Sequence, residues 1–292
     1  MRTFETRQEQ QAEVERNIRA HRRIHRSYER RHSEIFNALE QARLRESLQR
    51  AVAAIGTGTT SSHRALDFGC GTGNLTGHLV ELDLEVVAAD VSPEFLLRVG
   101  RRFRDRPVET MRLNGIDLDG TPDGSFDLVA AYSVLHHVPN YLDIVEEMQR
   151  VLRPGGILYL DHEANELFWE DDPCLVALRK EVRRRALTSQ EWWNPERKRW
   201  QRFLVPSNYI ARLRTAVDPD WWWKIEGDIH TWPGDHIEWD AIVERLRPLG
   251  GEVVFSEDYL LYRAEYPLDL YENYRTTCSD MRVVALRKAE SV

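Results

Sequence analysis

Cysteine is scarce: Cys70, Cys174 and Cys278 are the only three in 292 residues. Their wide spacing fits neither a zinc motif nor a disulfide framework, so a reducing cytosol is the expected location. Long apolar runs are also missing. No stretch approaches the ~18 apolar residues a membrane-spanning helix needs, and no membrane association is expected. The opening MRTFETRQEQQAEVERN is charged and lacks the apolar core of a secretory signal. Lysine is nearly absent, with four (Lys180, Lys198, Lys224, Lys288) against 36 arginines. That bias runs along the whole chain, so it reads as a genomic preference. Positive charge is outweighed, 40 basic residues against 48 acidic for a net −8. This argues against non-specific nucleic-acid binding, and no nucleic-acid partner is expected. Hydrophobic residues still make up 42% of the chain, which excludes bulk disorder and supplies a core.

Residues 7–55 contain no proline or glycine and read as helix. Their local arginine excess is taken as a solvated helix face. Gly56 to His63 is a small, polar linker. From Ala65 to Leu160, short apolar runs alternate with helical patterns. That rhythm predicts βαβ units and a mainly parallel sheet. From Asn165 the rhythm breaks. All nine tryptophans lie between Trp169 and Trp239, amid the polar-basic helical stretches Leu175–Leu187 and Pro195–Leu204. The core pattern returns with a helix over Asp240–Leu249, stopped by Gly250-Gly251, and strands over Glu252–Tyr262 and Met281–Arg287.

The segment Ala65-Leu66-Asp67-Phe68-Gly69-Cys70-Gly71-Thr72-Gly73-Asn74 runs an apolar strand into three alternate glycines and then a helix. Glycine allows left-handed backbone and close approach of a ligand, and the helix start offers free N–H groups. Neither the G-x-G-x-x-G dinucleotide fingerprint nor the lysine-bearing phosphate loop fits the spacing. What remains is D-x-G-x-G-x-G. An acid, Asp90, ends the next apolar run 23 residues after Asp67. Asn114-Gly115-Ile116-Asp117, Phe126 to Val138 (with Leu135-His136-His137-Val138) and Leu152-Arg153-Pro154-Gly155-Gly156 follow in order.

Together these segments resemble the class I S-adenosylmethionine-dependent methyltransferases, and most closely their small-molecule branch. The resemblance implies an α/β, Rossmann-like, doubly wound, mostly parallel seven-stranded sheet. It also implies S-adenosylmethionine as cofactor, with Asp67, Gly69, Gly71 and Gly73 at its methionyl part and Asp90, with Val91, at the ribose. Asp117 would take the adenine amino group, and Ser133 would lie near the sulfonium. Family members often fold an N-terminal helix over the cofactor, and Tyr28-x-x-x-His32-x-Glu34-Ile35 looks like such a lid. Tyr28 is therefore a candidate cofactor contact, against a plain core role. The chain then divides into a helical lid (1–60), a cofactor-binding core (61–164), an inserted cap (165–235) and the rest of the core sheet (236–292).

His136 and His137 are the candidate general bases, because imidazole titrates near neutrality. The alternative is packing under the next helix. His162 and Glu163 follow the fifth strand, and His230 precedes the returning core helix. His162 and His230, with Trp221 and Trp222, are candidate substrate contacts, although a solvated loop is the favoured reading of the two histidine segments. His230, Asp235 and His236 lack the spacing or fourth ligand of a metal site, and no metal is expected. The expected reaction is methyl transfer to an O or N nucleophile of a small hydrophobic or aromatic acceptor. Methylation of tRNA or protein, and a non-catalytic cofactor-binding module, are the alternatives. The tryptophans could instead bury at a homodimer interface.

Overall fold

The computed structural model describes residues 2–24, 28–56, 62–188 and 227–290. The described N-terminal residues form α1 (Arg7–Ile24), α2 (Tyr28–Arg31) and α3 (Ala38–Ala53), and the helical run is interrupted between α2 and α3. The break before α3 has a local cause. Asn37 is extended and its side chain accepts the Glu40 N–H at 3.0 Å, so a new helix starts there.

The alternation that follows is built as expected: β1 (Arg64–Phe68), α4 (Asn74–Glu81), β2 (Glu85–Asp90), α5 (Pro93–Arg102), β3 (Val108–Arg112), β4 (Phe126–Tyr132), α6 (Tyr141–Val151) and β5 (Leu152–Ala164). The predicted turn at Pro154-Gly155-Gly156 lies inside the irregular start of β5, where the pairing jumps from Phe126↔Leu152 to Leu128↔Ile157. Then come α7 (Glu166–Trp169), α8 (Pro173–Thr188), a hairpin of β6 (Thr231–Trp232) and β7 (Asp235–His236), α9 (Trp239–Leu246), β8 (Gly251–Tyr259), α10 (Leu268–Tyr274) and β9 (Met281–Lys288). The predicted Asp240–Leu249 helix ends early as α9 and tightens to a 3-10 turn at Arg247–Leu249, because Pro248 brings no N–H to the ladder.

The sheet order is β3-β2-β1-β4-β5-β9-β8. Neighbours from β3 to β5 are parallel, and β9 runs antiparallel to both β5 and β8. All seven residues of β4 are buried, as a central strand covered on both faces requires. One face packs Leu66, Val129, Ile144, Met148 and Trp239, bringing in α6 and α9. The other packs Leu44, Leu48, Leu79, Leu128 and Tyr159, bringing in α3 and α4. Strand order reverses between β1 and β4, which opens a crevice at their carboxyl ends.

Two expectations change. Cys174 of α8 and Cys278, ahead of β9, form a disulfide. Spacing could not show a bond between residues 104 apart, and the pairing removes the premise for a cytosolic location. Among the described residues, no helix is long and apolar enough to cross a membrane. In addition, Trp239 belongs to the core, donating to Ala164 O at 3.0 Å. Trp192, Trp193, Trp200, Trp221, Trp222, Trp223 and the stretch 195–204 lie outside the described residues.

The end of β5 is tied to α3 by a buried polar knot. Arg43 donates to Glu40 Oε1 at 2.6 Å and to Asp161 Oδ2 at 2.8 Å. Tyr132 donates to Glu40, and Tyr159 and Tyr259 donate to Asp161. Arg43→Ala would leave two buried carboxylates without their cation. Urea denaturation should show a loss of about 3 kcal/mol, the low end for breaking such a pair; a change under 1 kcal/mol would show that the knot does not hold α3 to the sheet.

Candidate active site

The glycine loop is a tight crossing. Gly69, Gly71 and Gly73 have φ of 73°, 49° and 85°. A Cβ on Gly69 would lie 2.3 Å from Val134, and one on Gly73 would lie 2.8 Å from Phe103. Side chains are therefore excluded by both backbone angle and space. Asp67 points inward and accepts the Thr76 hydroxyl at 2.5 Å, fastening the loop to α4. Burial, with Asp90 nearby, pushes its carboxyl up to about 7. Asp90 accepts the Gly71 N–H at 2.9 Å and the Ser92 N–H at 2.7 Å, one on each oxygen. Each oxygen keeps a further lone pair. Burial pushes this carboxyl up to about 6 against the pull of those amides.

Two cavities meet above the loop. The narrower, about 80 Å³, is lined by Gly69, Gly71, Asp90, Val91, Tyr28 and Asn17, among others. The wider, about 370 Å³, carries His136, His162, Glu163, Trp169, Asp228 and Arg263 on its walls. His21, Tyr28, Ser133 and His137 line both. Helix α1 closes the narrow cavity: Val14 sits where a Cβ on Gly115 would be, 2.8 Å away, and His21 meets His137 edge-on at 5.0 Å.

The two histidines after β4 have different surroundings. His136 Nδ1 lies 2.7 Å from Glu163 Oε2. The other Glu163 oxygen accepts the Val134 and Leu135 N–H groups at 2.9 and 2.7 Å, so the carboxylate is pinned and faces His136 as an acceptor. His137 Nδ1 lies 3.2 Å from Asp228 Oδ1. Burial, then His136 and His21 nearby, holds His137 neutral, well below the usual histidine range.

The structure thus brings Gly69, Gly71, Asp90, Val91, Tyr28, Ser133, His136, His137 and His162 to the cavities. Asp67 and Gly73 stand behind the loop as its supports. Asp117 departs from expectation: it is absent from the cavity lining, and its carboxylate holds Arg7 at 2.8 Å and Asn114 at 2.5 Å. Its place at the end of β3 is right, but a guanidinium from α1 takes the acid. His230 touches the wide cavity, yet Nδ1 faces Asp235 at 2.7 Å and Nε2 faces the Val138 and Pro139 carbonyls at 3.1 and 3.0 Å. Nδ1 is thus engaged within the hairpin and Nε2 fastens it to the loop after β4, so both ring nitrogens already have protein partners. Trp221 and Trp222 lie outside the described residues. Sequence reasoning missed Asn17, His21, Asp228 and the Glu163 partnership. The last had a signal: β4 and β5 are parallel neighbours, with Tyr132 opposite Asp161, which sets Leu-His-His beside His-Glu.

Residues 66–160 match the family described as "Methyltransferase domain". The ubiquinone biosynthesis O-methyltransferase of Xanthomonas campestris pv. campestris is 38% identical over 100 residues, 33% of this chain and 41% of that protein. Highly reducing polyketide synthase 2 of Gibberella zeae is 33% identical over 116 residues, 33% of this chain and 4% of its own. The chain spans about two fifths of the length of the first of these relatives. A chain from the Haloferax volcanii complex between the Trm112 methyltransferase activator and a methyltransferase shares the fold. It has a TM-score of 0.54 at 16% identity, covering 94% of this chain and 98% of that one.

Asp90 yields a signed pH expectation. Its carboxyl accepts ribose hydroxyls most strongly when ionised, that is, above about pH 6. The dissociation constant of S-adenosylhomocysteine, measured by calorimetry, should rise below pH 6, by up to about tenfold per pH unit. Asp90→Asn should bind at least about tenfold more weakly at pH 7.5 and lose most of that slope. A flat wild-type profile from pH 7.5 to 5 would exclude Asp90 as the ribose acceptor.

Proposed function

We propose that this chain, whose residues 66–160 match a methyltransferase domain, transfers the methyl group of S-adenosylmethionine to a hydroxyl oxygen of a small hydrophobic or aromatic molecule. The observation that carries this reading is the His136–Glu163 pair, 2.7 Å apart, in a cavity that shares walls with the glycine-loop cavity. The O-methyltransferase name of the 38%-identical relative agrees with an oxygen acceptor.

The narrow cavity suits the cofactor chemically. Asp90 offers carboxylate lone pairs for ribose hydroxyls, and the left-handed glycines expose backbone for the methionyl part. Asn17 Nδ2 is buried there with no partner among the described residues, so it is a donor in want of an acceptor. At about 80 Å³ the space falls below the ~300 Å³ of ordinary ligand pockets. Helix α1, carrying Val14, Asn17 and His21, must therefore draw back to admit the molecule and re-close on it. Bound S-adenosylmethionine supplies an electrophilic methyl group on a cationic sulfur. Tyr28, Ser133 and His137, which line both cavities, are the residues that would surround that group.

The acceptor belongs in the wide cavity, where Phe168, Trp169, Ile237 and Leu261 provide apolar surface. A hydroxyl is a weak nucleophile until its proton leaves. Glu163, held by two amides, accepts a hydrogen bond from the Nδ1–H of His136 and so leaves Nε2 as the basic nitrogen. His136 then accepts the hydroxyl proton as the oxygen turns toward the methyl group. His137, buried and neutral, serves as wall between the cavities and bears on α1 through His21.

The test is production of S-adenosylhomocysteine from S-adenosylmethionine with a panel of phenols. His136→Ala should lower kcat about 10²–10⁴-fold, and Glu163→Gln should lower it less. S-adenosylhomocysteine affinity should stay within about twofold in both. Full turnover by His136→Ala would remove the proposed base.

A further inference from the structure

Two adjacent strand ends carry backbone that side chains rarely adopt. Ser133, just past β4, has φ 56°, and His162, within β5, has φ 64°. They are level, since the Ser133 N–H donates to Asp161 O at 3.0 Å. His162 is also the extra residue of a bulge. β9 sets Val283 opposite Asp161 and Arg282 opposite Glu163, and the register shifts between them. Bulges of this kind re-aim a side chain, and His162 lines the wide cavity. Its ring packs on Tyr132 with centroids 4.7 Å apart.

The ring is in an expensive position. His162 is 6% exposed, and among the described residues neither ring nitrogen has a hydrogen-bond partner. Burial, with Arg43 and Arg263 nearby, keeps it neutral, so it holds one donor and one acceptor unused. Nothing among the described residues consumes them. The neighbouring Asp161 is already held by Arg43, Tyr159 and Tyr259. Unpaired buried groups and left-handed side-chain residues persist together mainly where a ligand uses them.

We propose that His162 binds the acceptor, hydrogen-bonding a second hydroxyl of an uncharged, hydroxylated aromatic molecule whose reacting oxygen lies at His136. This rests on the wide cavity being the acceptor pocket, as proposed above. The second hydroxyl follows from the division of labour: His136 is committed to Glu163 and to the reacting oxygen, and His162 stands apart from that pair. Charge excludes an anion. Glu34, Glu163 and Asp228 line the cavity, and the one guanidinium there among the described residues, Arg263, is already bonded to Asp280. The aromatic class follows from Tyr28, Phe168 and Trp169 on the same walls.

Calorimetry on the protein loaded with S-adenosylhomocysteine tests this, using phenol, resorcinol and 3-hydroxybenzoate as probes. Wild type should bind resorcinol about fivefold tighter than phenol and should bind 3-hydroxybenzoate more weakly than either. His162→Phe should bind phenol as wild type does but lose the preference for resorcinol, with S-adenosylhomocysteine affinity unchanged. If phenylalanine is not accommodated, His162→Asn gives the same readout. Asparagine tolerates the left-handed backbone and its amide is too short to reach the same point. Equal affinity of wild type for phenol and resorcinol, a preference that survives in both variants, tighter binding of the anion, or no binding of any probe overturns the proposal. Failure of the underlying reading would show separately, as absent methyl transfer or as a His136→Ala variant with full turnover.

Discussion

One guanidinium decides where the site can form. Arg43 reaches from α3 into the end of β5, where it meets Glu40 and Asp161 and lies 3.8 Å over the Tyr259 ring. Ions buried this way are stable only when every lone pair and proton is met, and three tyrosine hydroxyls complete the set. The knot fixes Asp161, and the chain must leave Asp161 at the bulge. From that bulge come His162 and then Glu163, the partner of His136. The side chains proposed to act on the acceptor thus inherit their positions from a polar cluster at the end of β5.

Much of this was legible in the residues. The glycine triplet, the acid ending β2 and the alternation of apolar runs led to the right sheet, because backbone sterics and strand burial leave few alternatives. Asp67 and Gly73 were read as ligand contacts, but the same motif also has to build its own turn, and those two residues do that. The partners of Asp117 and His230 were not legible, for one reason. Each is a polar residue in a plausible place whose partner, Arg7 or the Val138 and Pro139 carbonyls, lies about a hundred residues away in sequence. Charge pairing at that distance has no local signature. The Cys174–Cys278 bond escaped for the same reason.

Histidine use around the wide cavity follows from burial. Six of the ten histidines in the chain, His21, His32, His136, His137, His162 and His230, line it. A buried imidazole can stay neutral while offering both a donor and an acceptor, at less cost than a carboxylate or an ammonium. The cavity can therefore be polar without being strongly charged. Burial takes His21 down to about 4 and holds His137 and His162 well below the ordinary range. Neutral rings at His21, His137 and His162 would avoid the like-charge repulsion that imidazolium groups bring to a cationic ligand.

The disulfide has a topological consequence. Cys174 and Cys278 close the chain into a covalent ring that contains the hairpin carrying His230, α9 and β8. While the bond is intact, a single backbone cut anywhere between those cysteines opens the ring without separating the molecule. The amino-terminal piece, with the glycine loop and β5, stays tethered to β9. Such a nicked chain would run as one species without reductant and as two with it, and the two pieces would remain neighbours for reassembly. In a reducing compartment the tether is lost, and the same cut separates β9 from the strand it pairs with at the edge of the site.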